Sequence, residues 1–251
     1  MGSHQLRVLS YNLHKGFGLL NREFLLAQMR EAIRSSQADI VFLQEVVGQN
    51  SKHKNQVKDW PTEPQFEYLA DQIWHHHAYG KNAVYNEGHH GNAILSKYPF
   101  ISSENLDIST HRFAQRGLLH GVIQIPNLIQ KVHVLCIHMG LFEAERRAQA
   151  QKLYHRIDQL IPHDEPLLIA GDFNDWRGQI SPILQKEVGV REAFEVLHGS
   201  PARSFPSWLP ALRLDRIYFR KMEVVSAETL ISPPWNQLSD HVALKAEFRL
   251  V

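Results

Sequence analysis

Six short apolar runs in this chain each carry, at or near one end, a side chain able to hold metal or phosphate. VLSYN ends on Asn12, IVFLQE on Glu45 and VLCIH on His138, while LLIAGDFN leads through Asp172 to Asn174. Asp215 falls within RLDRIYF, and Asp240 with His241 precedes VALKAEF. Such runs of β-branched and aromatic residues read as strands, and a sheet presents its strand ends side by side. The chain is therefore expected to fold into sheets that project several polar groups into one cleft. A lone Asn or Asp at a strand end is most often a turn former or a helix cap. That reading fails for the whole set, because its residue types are those needed for phosphate-ester hydrolysis.

Strands are expected at residues 6–11, 39–43, 92–96, 118–125, 131–137, 166–170, 214–219 and 242–248. Helical stripes lie at 22–35, through Phe24, Leu25, Met29, Ala32 and Ile33, and at 143–160, through Ala148, Leu153, Ile157 and Leu160. Polar or Pro/aromatic connections at 48–65, 82–91, 198–212 and 232–239 are expected to surround the site. With no internal repeat, low-complexity tract or Gly/Ser linker, one domain over residues 1–251 is expected, residues 1–4 having the look of a cloning remnant.

The 27 basic and 26 acidic residues nearly cancel, so the chain lacks the bulk positive field of a non-specific nucleic-acid binder; a local basic groove stays open. Cys136 is the single cysteine, which excludes an intrachain disulfide framework and suits a reducing, cytoplasmic compartment. No apolar stretch is long enough to span a bilayer, which leaves peripheral membrane association open; a monomer is expected.

Phosphate-ester hydrolysis needs charge neutralisation on the nonbridging oxygens, a deprotonated water in line with the leaving oxygen, and stabilisation of that leaving group. Glu45 is the best hard-oxygen ligand for Mg2+, with Mn2+ able to substitute, and Asn12 and Asp240 can complete or orient its sphere. His241 is a credible general base, with a carboxylate such as Asp215 to fix its tautomer. Asp172 could instead position or activate the water. Asn174 and His138 can donate hydrogen bonds to phosphate oxygens.

SYN at 10–12, LQE at 43–45, GNAILSKYP at 91–99, GDFN at 171–174, LDRIYF at 214–219 and SDH at 239–241 together resemble the endonuclease/exonuclease/phosphatase superfamily. This superfamily includes deoxyribonuclease I, abasic-site endonucleases, sphingomyelinases and inositol polyphosphate phosphatases, and the resemblance covers essentially the whole chain. It implies a four-layered α/β sandwich of two face-to-face mixed sheets with helices outside and the site at one sheet edge. It implies metal binding by Glu45 with Asn12 and Asp240 nearby, an Asp215–His241 pair, and phosphate contacts from His138 and Asn174. It leaves the base open between Asp172 and His241. Arg116 matches a place where some nuclease members put a phosphate-binding arginine, a solvated strand-end charge being the equal alternative.

The chain departs from abasic-site endonucleases at YNLHKG, where His14 and Lys15 stand as candidates to meet phosphate, and at IHMGLFEAERRAQ. There it resembles instead a small bacterial branch often encoded beside cardiolipin synthase. His75-His76-His77 read as a half-exposed strand end, because consecutive strand residues point to opposite faces. His89 and His90 run into the strand at 92–96, so His90 and Asn92 are candidates to line the cleft. Trp235, Trp208 and Phe205 lie in Pro-rich loops; they could touch substrate, Trp235 above all, or simply staple the loops. Trp60 and Trp74 read as packing residues. The expected activity is Mg2+-dependent hydrolysis of a phosphodiester or phosphomonoester, nucleic acid being the first substrate and a phospholipid or its headgroup the alternative. A silent binding module is disfavoured by intact Glu45, Asp215 and His241.

Overall fold

The computed structural model describes residues 4–19, 22–111, 115–126 and 128–250, so residues 1–3 of the remnant-like start lie outside the described residues. Two six-stranded sheets form the framework. The first runs, in spatial order, β11 (Met222–Leu230), β12 (Ala243–Leu250), β1 (Gln5–Asn12), β2 (Ile40–Asn50), β4 (Gly88–Ser96) and β3 (His76–Tyr85). The second runs β5 (Phe100–Asp107), β6 (Gly117–Ile123), β7 (Val132–His138), β8 (Leu167–Asp172), β10 (Asp215–Arg220) and β9 (Arg191–Glu192). Each sheet is mixed around one parallel pair, β1 with β2 and β7 with β8. The crossovers between those pairs carry α1 (Leu26–Ser35) and α4 (Glu143–Leu160), since parallel neighbours need a long connection. Two face-to-face mixed sheets flanked by helices make the expected four-layered sandwich.

Between the sheets, Leu6, Val8, Phe42 and Ile94 share one buried cluster with Val134, Cys136, Leu168 and Ile217. Outside, Met29 and Ile33 of α1 pack with Leu9, Val41 and Leu43, and Leu153 and Ile157 of α4 pack with Leu135, Ile137 and Ile169. The central strands are thus buried on both faces, which is why they read as continuous apolar runs rather than as alternation. Register then aligns their ends: Asn12 stands opposite Gln44, His138 opposite Asp172, and Asp172 opposite Asp215.

Several boundaries differ from the sequence reading. α1 starts at Leu26; Phe24 instead forms a bridge with Phe17, and Leu25 precedes the helix. On α4, Ala148 and Leu160 are exposed, and the buried face is Glu145, Arg146, Gln149, Ala150, Leu153 and Ile157. Arg146 and Gln149 can be buried because they bond the backbone at Leu141 and Gly140. β2 continues to Asn50, so residues 48–65 hold the end of that strand, α2 (Ser51–Gln56) and the start of α3 (Gln65–Ala70). Residues 82–91 form the tip of the β3–β4 hairpin rather than a loop. That tip is largely exposed or half-buried, so no apolar face marked it as strand. The remaining elements are α5 (Ser181–Val188), α6 (Ala193–His198) and α7 (Trp235–Leu238), the last inside the expected 232–239 connection. No described helix is long and apolar enough to cross a membrane.

Candidate active site

β8 ends on Gly171 and Asp172. Gly171 has φ +145°, and a Cβ there would lie 1.9 Å from the Ile137 carbonyl oxygen, so only glycine brings β8 close enough to set Asp172 beside His138. The Asp172 carboxylate is buried and engaged on both oxygens. Oδ1 accepts the Asn174 backbone N–H at 2.9 Å. Oδ2 accepts Asn12 Nδ2 at 3.3 Å and lies 3.5 Å from His138 Nε2 and 3.8 Å from His241 Nε2. Four strand ends, from both sheets, thus converge on one carboxylate.

His241 is oriented from behind. Its Nδ1 stands 2.8 Å from Asp215 Oδ2, the oxygen that also accepts the Ser204 hydroxyl, and the Phe205 ring flanks the imidazole at 5.1 Å. Burial opposes charge on His241, but Asp215 and Asp172 outweigh it and carry the imidazole up to about 10. His138 lies the other way: burial pushes it down to about 4, so it stays neutral. Burial likewise raises the Asp172 carboxyl, with the two imidazoles opposing.

Glu45 sits where β2 slips register between Leu43 and Val46, with φ 55°. A bulge in a left-handed backbone re-aims a side chain that regular pleating would commit to one face. His14 (φ 46°), Lys15 (φ 58°) and Asn174 (φ 50°) share that conformation, so backbone strain gathers at this end of the sandwich. Lys15 Nζ is 3.1 Å from Glu45 Oε2, and His14 Nδ1 is 3.7 Å from Asp240 Oδ1. Burial would raise the Glu45 carboxyl, yet His138, Lys15 and His14 bring it down to about 2.

Two groupings bear on metal. Among the described residues, ligand atoms of Asp172, Asp215 and His241 lie within 4.8 Å of one another. The Asp215–His241 hydrogen bond and the facing register of Asp172 and Asp215 account for that closeness without an ion. Glu45 and Asp240 stand outside the trio. The donor chemistry at Glu45 still fits a hard cation: a half-buried, ionised carboxylate already neutralised by the Lys15 ammonium.

The sequence pattern of the Endonuclease/Exonuclease/phosphatase family matches residues 9–241, the stretch that holds every one of these side chains. The chain belongs to this family. An enzyme of phosphate-ester hydrolysis is what that membership makes it, within a family that generally works with a divalent metal. It is similar to the uncharacterized protein YbhP of Escherichia coli K12, 46% identical over 244 residues, 97% of this chain and 96% of that protein. Its fold is similar to that of the human nocturnin catalytic domain with bound sulfate anion, at TM-score 0.75 and 20% identity, covering 97% of this chain and 94% of that one. It is also similar to D. rerio TDP2 complexed with single strand DNA product, at TM-score 0.71 and 21% identity, covering 97% and 98%.

Within this family frame the remaining candidates separate. Arg116 donates through Nε to Met139 O at 3.3 Å and, with Glu45, His90 and His138, lines a recess of ≈ 10 Å³, about one water. It is therefore a fixed cation beside the carboxylates rather than a solvated charge. His90, which burial pushes down to about 4, lines the same recess. Asn92 lines that recess too. Its Nδ2 donates to Gly117 O at 3.0 Å and Cys136 O at 3.2 Å, tying the two sheets together, and its free Oδ1 has no proton to offer a phosphate. Trp235 instead takes the stapling role: 7% exposed, it packs edge-on to Tyr11 at 5.5 Å in the core beneath α1. Trp74 is core as expected, and Trp208 is 61% exposed. Sequence reasoning missed Ser204, which bonds Asp215, and Ser239, whose hydroxyl donates to Asn12 O at 2.8 Å. Ser239 stood inside the SDH motif; nothing near Ser204 marks it.

Proposed function

We propose that the chain is a Mg2+-dependent phosphodiesterase of nucleic acid, acting as one domain. The observation that carries this reading is the convergence of Asn12, His138, Asn174 and an Asp215-backed His241 on the single carboxylate of Asp172. The raised carboxyl of Asp172 suits it to take the proton of the attacking water, and we assign it as the base. His241, held as an imidazolium, has no lone pair for that proton and faces the phosphate as a charged donor. His138 and the second N–H of Asn174 offer neutral donors, and Arg116 a fixed positive charge. Glu45, with Asn12 and Asp240 beside it, would hold the divalent ion, which when bound supplies charge neutralisation to the nonbridging oxygens. In the ion's presence Lys15 would give up Glu45 and become free to meet substrate. The single-strand DNA product on TDP2 and the sulfate on nocturnin support a phosphate ester with nucleic acid attached.

One observation favours a phospholipid headgroup as the second reading. Leu141, Phe142, Trp176, Trp208 and Leu209 are all exposed on connections that follow or adjoin the site strands. The test is Mg2+-dependent turnover of single-stranded and duplex DNA, RNA and phospholipid vesicles by wild type, Glu45→Ala and Asp172→Asn. Nucleic-acid cleavage lost in both variants supports the proposal; turnover confined to vesicles selects the second reading, and unchanged turnover in both variants overturns the site.

A further inference from the structure

On the α3 side of the first sheet lies a cavity of ≈ 550 Å³ that the phosphate chemistry above does not use. Trp60, Phe66, Tyr79 and His89 give it aromatic walls, and Lys54 and Lys81 stand among them. The rings are braced. Trp60 stacks on Phe24 with centroids 4.8 Å apart, Phe66 stacks on Tyr79 at 4.5 Å, and the Tyr79 hydroxyl is 2.9 Å from His89 Nδ1. Ring faces held by a second ring lose little freedom when a ligand stacks on them.

The cavity and the catalytic cleft lie against opposite faces of the same strands. Neighbouring residues on a strand point to opposite faces, and on β4 His90 lines the recess beside Glu45 while His89 lines the cavity. Along β2, Gly48 of the cavity lies three residues past Glu45, about 10 Å of strand. Gln65 fastens the two: its Nε2 donates to Lys15 O at 2.9 Å, and its Oε1 accepts Val47 N–H at 2.9 Å. The segment bearing Pro64 and Phe66 is thereby locked to the turn whose lysine pairs with Glu45.

We propose that this cavity is a subsite for a nucleobase of the substrate. The inference rests on the nucleic-acid reading above and deepens it. Aromatic walls take either a planar base or a quaternary ammonium. Charge decides between them: Lys54 and Lys81 outnumber Glu63, so the lining repels a cationic headgroup and attracts the phosphates that flank a base. Ser51 and Thr62, whose hydroxyls donate to Glu87 O and Glu63, keep their oxygens as acceptors along the lining.

Adenosine, uncharged and free of phosphate, isolates this subsite from catalysis. Titrated into the full chain in EDTA and followed by calorimetry, it should bind saturably, about tenfold more weakly in Trp60→Leu. Nuclear Overhauser contacts from adenine protons to the Trp60 indole in the wild-type protein give the same answer without a variant, should Trp60→Leu fail to fold. Binding is read without turnover, so hydrolysis of nucleic acid could fail while adenosine still binds, or the reverse. Absence of saturable adenosine binding, equal affinity in a folded Trp60→Leu, or phosphocholine bound at these rings in preference to adenosine overturns the proposal.

Discussion

At His241, burial and two carboxylates pull in opposite directions, and the carboxylates win. The raised value sets a pH dependence with a definite sign. Folding stabilises the imidazolium, so this contribution is fully present below the unfolded value of about 6.5 and is lost as pH rises through about 10. Activity assigned to a charged His241 and an ionised Asp172 should follow a bell, with an alkaline limb near 10 in kcat/KM. Asp215→Asn removes the charge that holds the proton and should move that limb toward neutrality, with kcat down about 10²- to 10⁴-fold. An alkaline limb unmoved by the substitution, read from pH–rate profiles, would remove His241 from the role given it. The residue types were legible because each lies within or beside a strand apolar enough to betray itself. The left-handed backbone at Glu45, Lys15 and Asn174 was not, because non-glycine residues carry no sequence mark of that strain. Nor was the structural role of Asn92, whose partners Gly117 and Cys136 lie 25 and 44 residues away on the other sheet.

Two features of single elements carry consequences of their own. The β7–β8 pair is closed over Gly171, and Gly171→Ala must push a methyl into the Ile137 carbonyl. We expect at least about 2 kcal/mol of lost stability in urea denaturation, and lost activity as Asp172 and His138 part. Beneath α4 a polar chain runs from Glu165 through His133 and His120 to Arg156 and Glu104. Burial, then His133 and Arg156, push His120 down to about 3. A depressed histidine stabilises the fold above its unfolded value, so unfolding free energy should fall from about pH 6.5 toward 3. His120→Gln should flatten that slope; an unchanged slope would show that the chain does not couple to folding. The edge strands β5 and β11 escaped the sequence reading for a related reason. ISSENLD and MEVVSAETL keep polar residues on exposed faces, so they lack the unbroken apolarity that revealed β1, β7 and β8.

Across the whole molecule the two sheets repeat one plan: a parallel pair, a covering helix, and functional side chains at the carboxyl ends of β1, β7 and β8 and at the bulge within β2. The plan follows from topology and was legible from the sequence only as a count of strand ends, since the pairing partners are far apart. It predicts that cation binding at Glu45 stabilises the entire fold. At a hundredfold excess over its dissociation constant Mg2+ should add about 2.7 kcal/mol, seen as a raised thermal midpoint, and Glu45→Ala should abolish most of the gain. The sheet that holds Asn12 is completed from the far end of the chain: β12 pairs with β1, Leu250 N–H donates to His4 O at 3.0 Å, and Ser239 reaches Asn12 across 227 residues. A chain emerging from the ribosome therefore holds β1 without the neighbour that follows His241 until residues 241–250 have been made. A form cut short before β12 would keep the beginnings of the fold while lacking both that strand and His241, and should show no phosphate-ester hydrolysis.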